Sequence, residues 1–241
     1  MVVKSQIKLI KSLQQKKYRI QYGLFVAEGT KLVRELLGSR FELYAAYATQ
    51  PDLLPQGNGI QQVSENELQK MSGLKTPNKV LAVFHLPKDG SPEKTDWCVA
   101  LEDVGDPGNL GTIIRLCDWF GIPQLICSEH TADCYSPKTL QATMGSLARV
   151  SVRYTDLNTF LRETTLPIYG AFMDGSVVYG QSFPEKGVLV MGNEANGISK
   201  ENEALVTARI GIPQFGAPTA ESLNVGTATA ILLNEIRRPK R

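Results

Sequence analysis

Metal-binding side chains are scarce in this 241-residue sequence, which contains two histidines and four cysteines. The cysteines are Cys98, Cys117, Cys127 and Cys134. None of them forms a CxxC pair, and His85 and His130 lie far apart. Zinc and non-haem iron sites need several such ligands at short spacings, so we expect no metal cofactor and no redox-active dithiol. Reduced thiols in a cytoplasmic protein are the simpler interpretation.

Long apolar runs are also missing. No uninterrupted apolar stretch approaches the ~20 residues of a membrane-spanning helix. Residues 1–18 are basic and lack the apolar core of a secretory signal peptide. We therefore expect a soluble cytoplasmic protein with no membrane partner, long enough to bury one large hydrophobic core or two modest ones.

Acidic residues are absent from the first 17 positions, although the whole chain has a formal net charge of +2. That stretch contains five lysines, and the C-terminus closes on four further cations. They are Lys4, Lys8, Lys11, Lys16 and Lys17, and Arg237, Arg238, Lys240 and Arg241. Basic ends on a near-neutral body are typical of proteins that contact a polyanion such as RNA. Terminal cations that only keep the protein soluble are the alternative interpretation.

The first 86 residues predict a small mixed unit. Helices are expected at 4–14, at 31–37 and in the stretch ending at Met71, and strands at 23–29, 43–48 and 80–84. Hydroxyl side chains mark two helix starts, because Thr30 is a candidate N-cap and Ser64 forms a capping-box pattern with Glu67. Residues 87–96 contain proline, glycine and serine and predict a linker.

Residues 97–241 alternate strands with helices and predict a second domain. Strands are expected at 97–101, 124–127, 168–172, 188–191 and 209–212, and helices at 109–120, 140–148, 157–164, 200–206 and 225–237. Short apolar strands that alternate with helices favour an α/β fold, with a mostly parallel sheet covered on both faces.

A glycine-containing turn follows the first of these strands. Asp106-Pro107-Gly108-Asn109 opens a helix that contains Arg115. The glycines of this turn do not fit the G-x-G-x-x-G dinucleotide fingerprint, so a Rossmann cofactor site is poorly supported. Taken alone, the turn favours the simpler interpretation, in which Asn109 is an N-cap and Arg115 is a surface arginine.

Two further turns follow the strands 188–191 and 209–212. The first is Gly192-Asn193-Glu194-Ala195-Asn196-Gly197, which places a carboxylate where ligand sites of parallel sheets collect. The second begins at Ile212-Pro213 and continues, after a loop, to Ser222-Leu223-Asn224-Val225 and an apolar helix. Glycines at such turns allow a ligand to approach the backbone. A capped helix start at Ser222 or Asn224 is the alternative, and both interpretations can hold together.

These turns, together with the segment Asn109 to Arg115, resemble the three motifs of the SpoU (TrmH-like) RNA 2′-O-methyltransferases. The resemblance implies S-adenosylmethionine as the cofactor, RNA as the substrate and no metal. It implies catalytic or substrate-orienting roles for five residues, namely Arg115, Asn109, Glu194, Ser222 and Asn224. It implies cofactor-binding roles for Met191, Gly192, Ile212 and Leu223. The loop 214–220 is longer than in the briefest family versions.

The role of Arg115 has two versions. The resemblance implies that Arg115 is the base that deprotonates the ribose 2′-OH, as proposed for the matching arginine in this family. A guanidinium is normally always charged, with a pKa above about 12. Anchoring of the target phosphate by Arg115, with the proton passing to phosphate or water, is therefore the alternative.

The resemblance extends to the first domain, where 25–29, 31–33 and 75–83 look like the N-terminal substrate-binding domain of two-domain SpoU enzymes. It implies a ribosomal-protein-like α/β domain that contacts RNA phosphates through Lys75, Lys79 and the basic first helix. For residues 97–241 it implies a trefoil-knotted, SPOUT-type domain that pairs as a homodimer. The final helix, with Ala228, Ile231, Leu232 and Ile236, fits either that interface or the core.

The predicted function is methyl transfer from S-adenosylmethionine to a ribose 2′-OH, with ribosomal RNA favoured by the two-domain layout. The alternatives are a tRNA 2′-O-methyltransferase and a non-catalytic RNA-binding ribosome-assembly factor. A nucleotide-dependent Rossmann enzyme would need the G-x-G-x-x-G turn that the sequence lacks.

Overall fold

The computed structural model describes residues 2–55, 59–87, 96–216 and 222–239. The chain forms two compact units. The first consists of Met1–Gly90 and Asp133–Ala148, and the second of Ser91–Ala132 and Arg149–Arg241. Most of the predicted linker, 88–95, lies outside the described residues.

Helices and strands alternate irregularly up to residue 87. They are α1 (Lys4–Ser12), α2 (Lys16–Tyr22), β1 (Leu24–Glu28), α3 (Thr30–Leu37), β2 (Leu43–Ala48), β3 (Ile60–Gln62), α4 (Glu65–Met71) and β4 (Val80–His85). The four strands form one sheet in the order β1-β4-β2-β3, in which only β2 and β3 run parallel.

The later elements alternate regularly. They are β5 (Cys98–Leu101), α5 (Pro107–Trp119), β6 (Gln124–Cys127), α6 (Pro137–Thr143), β7 (Ser151–Tyr154), α7 (Leu157–Glu163), β8 (Ile168–Val177), β9 (Val188–Met191), α8 (Lys200–Glu203), β10 (Ala208–Gly211) and α9 (Val225–Ile236). Six strands form a parallel sheet in the order β10-β8-β9-β5-β6-β7. The predicted parallel α/β architecture is confirmed.

The first unit buries both faces of its sheet. One face packs against α1 and α4 through residues such as Val26, Val83 and Met71. On the other face the Phe25 ring lies 5.7 Å from Phe84, measured between centroids. Because both faces are covered, β4 is apolar at nearly every position rather than alternating.

The segment Asp133–Ala148 belongs to the first unit, which interrupts the predicted second domain 97–241. The physical reason is its contacts: the Tyr135 ring lies 4.8 Å from Phe25, and Gln141 Nε2 donates a 2.8 Å hydrogen bond to the Glu28 carbonyl. The predicted helix 140–148 is correspondingly wrong in its bounds, because α6 begins at Pro137 and ends at Thr143.

Two predicted helix starts in the first unit have opposite outcomes. The capping box is confirmed, since Ser64 accepts from the Glu67 N–H and the Glu67 carboxylate accepts from the Ser64 N–H at 3.0 Å. The Thr30 cap is wrong, because Gly29 occupies the N-cap position with φ of 108°. That backbone conformation favours glycine over a residue with a Cβ.

The sheet of the second unit has helices on both faces. α7 packs Leu157 and Leu161 against a cluster that includes Ala100 and Val190. The residues between these on the strands point to the opposite face. Helices α5 and α9 pack against each other. All four cysteines are buried, and burial raises the pKa of Cys98 to about 12, which leaves it a poor nucleophile.

Among the described residues, no helix has the length and apolar character that a membrane crossing requires.

Candidate active site

A cavity of about 290 Å³ opens at the carboxyl ends of three neighbouring strands in the second unit. It is lined by Ala171, Phe172 and Met173; by Met191, Gly192, Asn193, Glu194 and Gly197; by Ile210, Gly211, Ile212, Pro213 and Gln214; and by Ser222, Leu223, Val225, Ala228 and Leu232. This edge is where parallel sheets collect ligands. The cavity size is at the lower end for small-molecule sites.

The inner walls of the cavity are apolar, and its polar lining side chains are Asn193, Glu194, Gln214 and Ser222. Met191, Ile210 and Leu232 are buried and form the inner walls, whereas Leu223 is 49% exposed at the rim. Within the described residues, the backbone N–H and C=O groups of Ile212 and Leu223 make no hydrogen bond. These groups can pair with the polar edge of a planar heterocycle held between apolar walls.

Gly192 is required by the turn that follows β9. A Cβ at this position would lie 2.2 Å from the Gly197 carbonyl carbon and 2.4 Å from the Ile198 nitrogen. The turn closes on itself through two hydrogen bonds between Asn193 and Gly197, at 3.0 and 2.9 Å. Gly192 therefore permits a close backbone approach within the turn as well as lining the cavity.

The Asn193 side chain fixes the same turn. Its Nδ2 donates to the Asp103 carbonyl at 2.7 Å, and its Oδ1 accepts from the N–H groups of Ala195 and Asn196. Asn193 was not among the site residues predicted from the sequence. Its signal was an asparagine inside a glycine-rich turn, where the side chain commonly bonds the backbone two residues on.

The three sequence motifs meet in one hydrogen-bond network. Asn109 Nδ2 donates to Glu194 Oε1 at 2.9 Å, and Asn224 Nδ2 donates to Asn109 Oδ1 at 2.9 Å. Asn224 Oδ1 in turn accepts from the N–H groups of Gly226 and Thr227. Both ends of the Asn109 amide are thus engaged, which orients it and leaves one carboxylate oxygen of Glu194 available.

The sequence left open whether Asn109 and Asn224 are helix N-caps or site residues, and the structure answers this for each of them. Asn224 is the N-cap of α9, so it serves both as a cap and as a member of the network. Asn109 is not the N-cap of α5. Asp106 caps that helix by accepting from the Asn109 N–H at 2.9 Å, which frees the Asn109 side chain for Glu194.

The family comparison bears directly on these motifs. Residues 96–234 match the model of the SpoU rRNA Methylase family, and residues 4–82 match that of the MRM3-like substrate binding domain. The chain belongs to the SpoU rRNA methylase family.

Three relatives match nearly the whole length of this SpoU family member. The 23S rRNA (guanosine(2553)-2′-O)-methyltransferase RlmP of Bacillus subtilis is 31% identical, over 96% of each chain. A solved structure of a TrmH-family protein from Porphyromonas gingivalis is 39% identical, with a TM-score of 0.90 over 99% of each chain. An AdoMet-bound rRNA methyltransferase from Sinorhizobium meliloti is 31% identical, with a TM-score of 0.87, over 99% of this chain and 96% of that one. The predicted SPOUT-type knotted domain with a smaller N-terminal α/β unit is confirmed.

The SpoU motif residues divide between the cavity wall and its surroundings. Six predicted residues line the cavity: Met191, Gly192, Glu194, Ile212, Ser222 and Leu223. Asn109 and Asn224 stand one and two hydrogen bonds from Glu194. Arg115 does not line the cavity. Its side chain is exposed on α5 and makes no hydrogen bond or ion pair within the described part of the chain.

One wall of the cavity was missed by sequence analysis. Phe172 lines it, and the Arg209 guanidinium lies 3.7 Å from the centre of the Phe172 ring. Asp174 and Glu203 form ion pairs with the same guanidinium. The available signal was the position of Phe172 at the carboxyl end of a predicted strand.

The final helix contributes to the core rather than presenting all its apolar residues to a partner. Leu232 and Ile236 are 1% and 8% exposed within a single chain. These two side chains therefore belong to the core of their own chain, and the role of the helix in a dimer interface stays a prediction.

Proposed function

We propose that this protein transfers a methyl group from S-adenosylmethionine to a ribose 2′-OH of ribosomal RNA. The observation that supports it most is the network joining Asn109, Glu194 and Asn224 beside an apolar cavity. Membership of the SpoU family and the RNA-methylating relatives support the reaction class.

The apolar walls and the unbonded backbone groups of the cavity suit the cofactor. The adenine would lie between the apolar side chains of Ile212 and Leu223 and pair with their unbonded backbone groups. Met191 and Gly192 would bound the floor at the end of β9. When bound, S-adenosylmethionine supplies an electrophilic methyl group on a sulfonium centre.

Polar residues at the cavity mouth would orient the RNA. Glu194 is exposed and anchored through one oxygen by Asn109, so its other oxygen can accept a hydrogen bond from a ribose hydroxyl. The exposed Ser222 hydroxyl offers a second contact at the same mouth. Such orientation converts a two-body reaction into a positioned one, which is worth several kcal/mol of the barrier.

Arg115 acts on the RNA rather than on the cofactor in this proposal. Its exposure leaves the guanidinium able to form a bidentate contact with a phosphate, which a planar fork suits. A base role would demand loss of a proton that guanidinium normally retains. The phosphate clamp is the simpler version.

The protein works as a homodimer through its C-terminal domain in this proposal. α5 ends in Trp119, which is 84% exposed and lies about one helical turn beyond Arg115. A second copy that covers Trp119 would bury a large apolar surface next to the proposed RNA contact. We place the activity in the cytoplasm.

Binding and transfer test the proposal separately. Calorimetry of the full chain with S-adenosylmethionine should give one site per chain. Mapping of 2′-O-methylation on total RNA from cells lacking the protein should reveal one missing site in ribosomal RNA. Loss of a site in transfer RNA instead would contradict the substrate class. Absence of cofactor binding by the folded protein would contradict the reaction.

A further inference from the structure

One end of the sheet in the first unit brings three chain segments together. Leu24 at the start of β1 is opposite His85 at the end of β4. The Leu86 N–H donates to the Gly23 carbonyl at 2.8 Å, and the His85 N–H donates to the Glu42 carbonyl at 2.9 Å. The end of α2 and the beginning of β2 therefore flank the end of β4.

Aromatic side chains gather at this end. The rings of Tyr44 and His85 lie 5.7 Å apart at an interplanar angle of 73°. Tyr18 and Tyr22 stack on α2 with centroids 6.3 Å apart and planes 17° from parallel. Tyr22 is 47% exposed and Tyr44 is 52% exposed. We call these four side chains the aromatic end.

Two backbone irregularities, a β-bulge at Tyr44 and a helix end at Tyr22, expose the two tyrosines. Leu43 is opposite Phe84 and Ala45 is opposite Val83, so Tyr44 is an extra residue in a β-bulge and has no partner on β4. Bulges re-aim side chains in this way. Tyr22 ends α2 and is followed by Gly23, whose φ of 64° turns the chain away from the helix.

The first two helices of the chain, the second of which carries part of the aromatic end, are basic and contain no acidic residue. The first acidic residue of the chain is Glu28, which is 5% exposed and bonded to Ser72 and Gly73. Lysines on α1 and α2 remain exposed, and Lys17 Nζ lies 4.7 Å from the centre of the Tyr18 ring. Glu42 is the exposed acid nearest in sequence to Tyr44. Aromatic faces beside lysines suit a ligand that combines flat rings with negative charge.

Unpaired RNA has this chemistry. Splayed bases stack on tyrosine and histidine rings while lysines neutralise the adjoining phosphates. A duplex hides the faces of its bases inside the stack, so it can use the lysines but not the rings. A protein partner is disfavoured, because lysine is depleted at the centres of protein interfaces.

We propose that the aromatic end binds unpaired nucleotides of the RNA substrate by stacking. This rests on the proposed function, since it assigns a recognition mode to an RNA-modifying enzyme. Tyr22 and Tyr44 provide the stacking faces, and Lys17 provides charge. The nucleotides bound here are therefore single-stranded. They are distinct from the target nucleotide, which is methylated at the active site of the second unit.

The test uses the full chain with Tyr22→Leu and Tyr44→Leu, each paired with the corresponding Phe variant. The probe is a short single-stranded RNA containing the fluorescent base 2-aminopurine, compared with a duplex of the same sequence. Each Leu variant should bind the single strand about 5- to 150-fold more weakly, as expected for loss of one stacked base. Quenching of the probe should fall in parallel. Phe variants should bind normally.

Two controls separate stacking from other effects. Tyr179→Leu removes a tyrosine that is 43% exposed in the second unit, and it should leave affinity unchanged. Lys17→Ala should lower the slope of log affinity against log salt by about 0.7 for each single-strand phosphate that the protein no longer neutralises. The Tyr→Leu variants should keep that slope, because stacking releases no counterions.

Several outcomes would overturn the proposal. Unchanged single-strand affinity in both Leu variants is one, and equal losses for single strand and duplex is another. A third is normal RNA binding by the variants together with a loss of methyl transfer, relative to wild type, on a protein-containing ribosomal particle but not on naked RNA. That result would show that the aromatic end contacts a protein. Methyl transfer measured on the same preparations keeps the two proposals apart: a wild type without transfer refutes the proposed function, while the Tyr→Leu losses still report stacking.

Discussion

Single side chains decide the chemistry at the cavity mouth, and Asn109 is the one whose replacement is most informative. Asn109→Ala should reduce kcat by about 10- to 1000-fold, because Glu194 loses the donor that orients it. Cofactor affinity should stay within about twofold, since Asn109 does not line the cavity. Single-turnover kinetics and calorimetry measure the two quantities. Asn234→Ala, at an exposed position on α9, is the matched control.

Arg115 gives a second prediction at this scale. Arg115→Ala should abolish methyl transfer and leave both cofactor binding and thermal stability nearly unchanged, because the side chain is exposed and outside the cavity wall. Arg115→Lys distinguishes the two roles. A phosphate clamp predicts partial activity with weaker RNA binding, whereas a base predicts a displaced rate–pH profile.

The control for these variants is Arg162→Ala, at an exposed arginine of α7. Near-normal turnover by Arg115→Ala on a verified RNA substrate would leave the surface-arginine interpretation as the correct one.

At the scale of elements, the turn after β9 makes a steric prediction. Gly192→Ala should destabilise the protein by about 1–3 kcal/mol and weaken cofactor binding, since the added methyl group meets the Gly197 backbone. Gly216→Ala adds the same group where no atom lies within 4 Å. Thermal melting with and without cofactor compares the two. Equal behaviour of both variants would show that the turn relaxes freely.

The start of α4 makes a pH-dependent prediction. Hydrogen bonds from the Ser64 N–H, the Val2 N–H and the Ser64 hydroxyl lower the pKa of Glu67 to about 2 from 4.5. A depressed carboxyl pKa stabilises the folded state above the unfolded pKa, and that contribution is lost as pH falls toward 2. The difference in Tm between wild type and Glu67→Gln should therefore be full above pH 4.5 and shrink below it. A difference independent of pH would refute the capping role of the charge.

Sequence patterns located elements well where an apolar run had clear ends. Residues 124–127 and 188–191 were predicted with the observed bounds, because buried parallel strands are short and continuously apolar. β7 was missed, since this edge strand is only partly buried and lacks that apolar run. α2 was missed because its lysine-rich sequence has little apolar periodicity and depends on packing against β1.

The residues of the candidate site were predictable from the sequence, but the hydrogen bonds that join them were not. The resemblance supplied Asn109, Glu194 and Asn224, but the bonds joining them span 85 and 115 residues and depend on the tertiary fold. Asn193 and the arginine-covered Phe172 ring were missed for the same reason. No local pattern predicts which backbone a glycine must approach.

For the whole molecule, the division into two units makes a prediction about fragments. A fragment of residues 96–241 should still bind S-adenosylmethionine, because every residue lining the cavity lies in the second unit. Its RNA affinity should fall much further than its cofactor affinity, since the basic first helix is missing. Calorimetry and RNA-binding titrations measure both. A folded fragment without cofactor binding would contradict the site, and unchanged RNA affinity would contradict the role of the first unit.

The same fragment should be cut by protease within Asp133–Ala148, because that segment then lacks Phe25 and Glu28. Full-length protein should resist cleavage there.

The Phe25–Tyr135 contact also has a consequence for synthesis on the ribosome. The ribosome synthesises the chain from the N-terminus, so more than a hundred residues are added after Phe25 before Tyr135 exists to cover it. At typical elongation rates this delay is roughly 5 to 20 s. During that interval the nascent first unit exposes an aromatic surface that the finished protein hides, and surfaces exposed in this way favour aggregation.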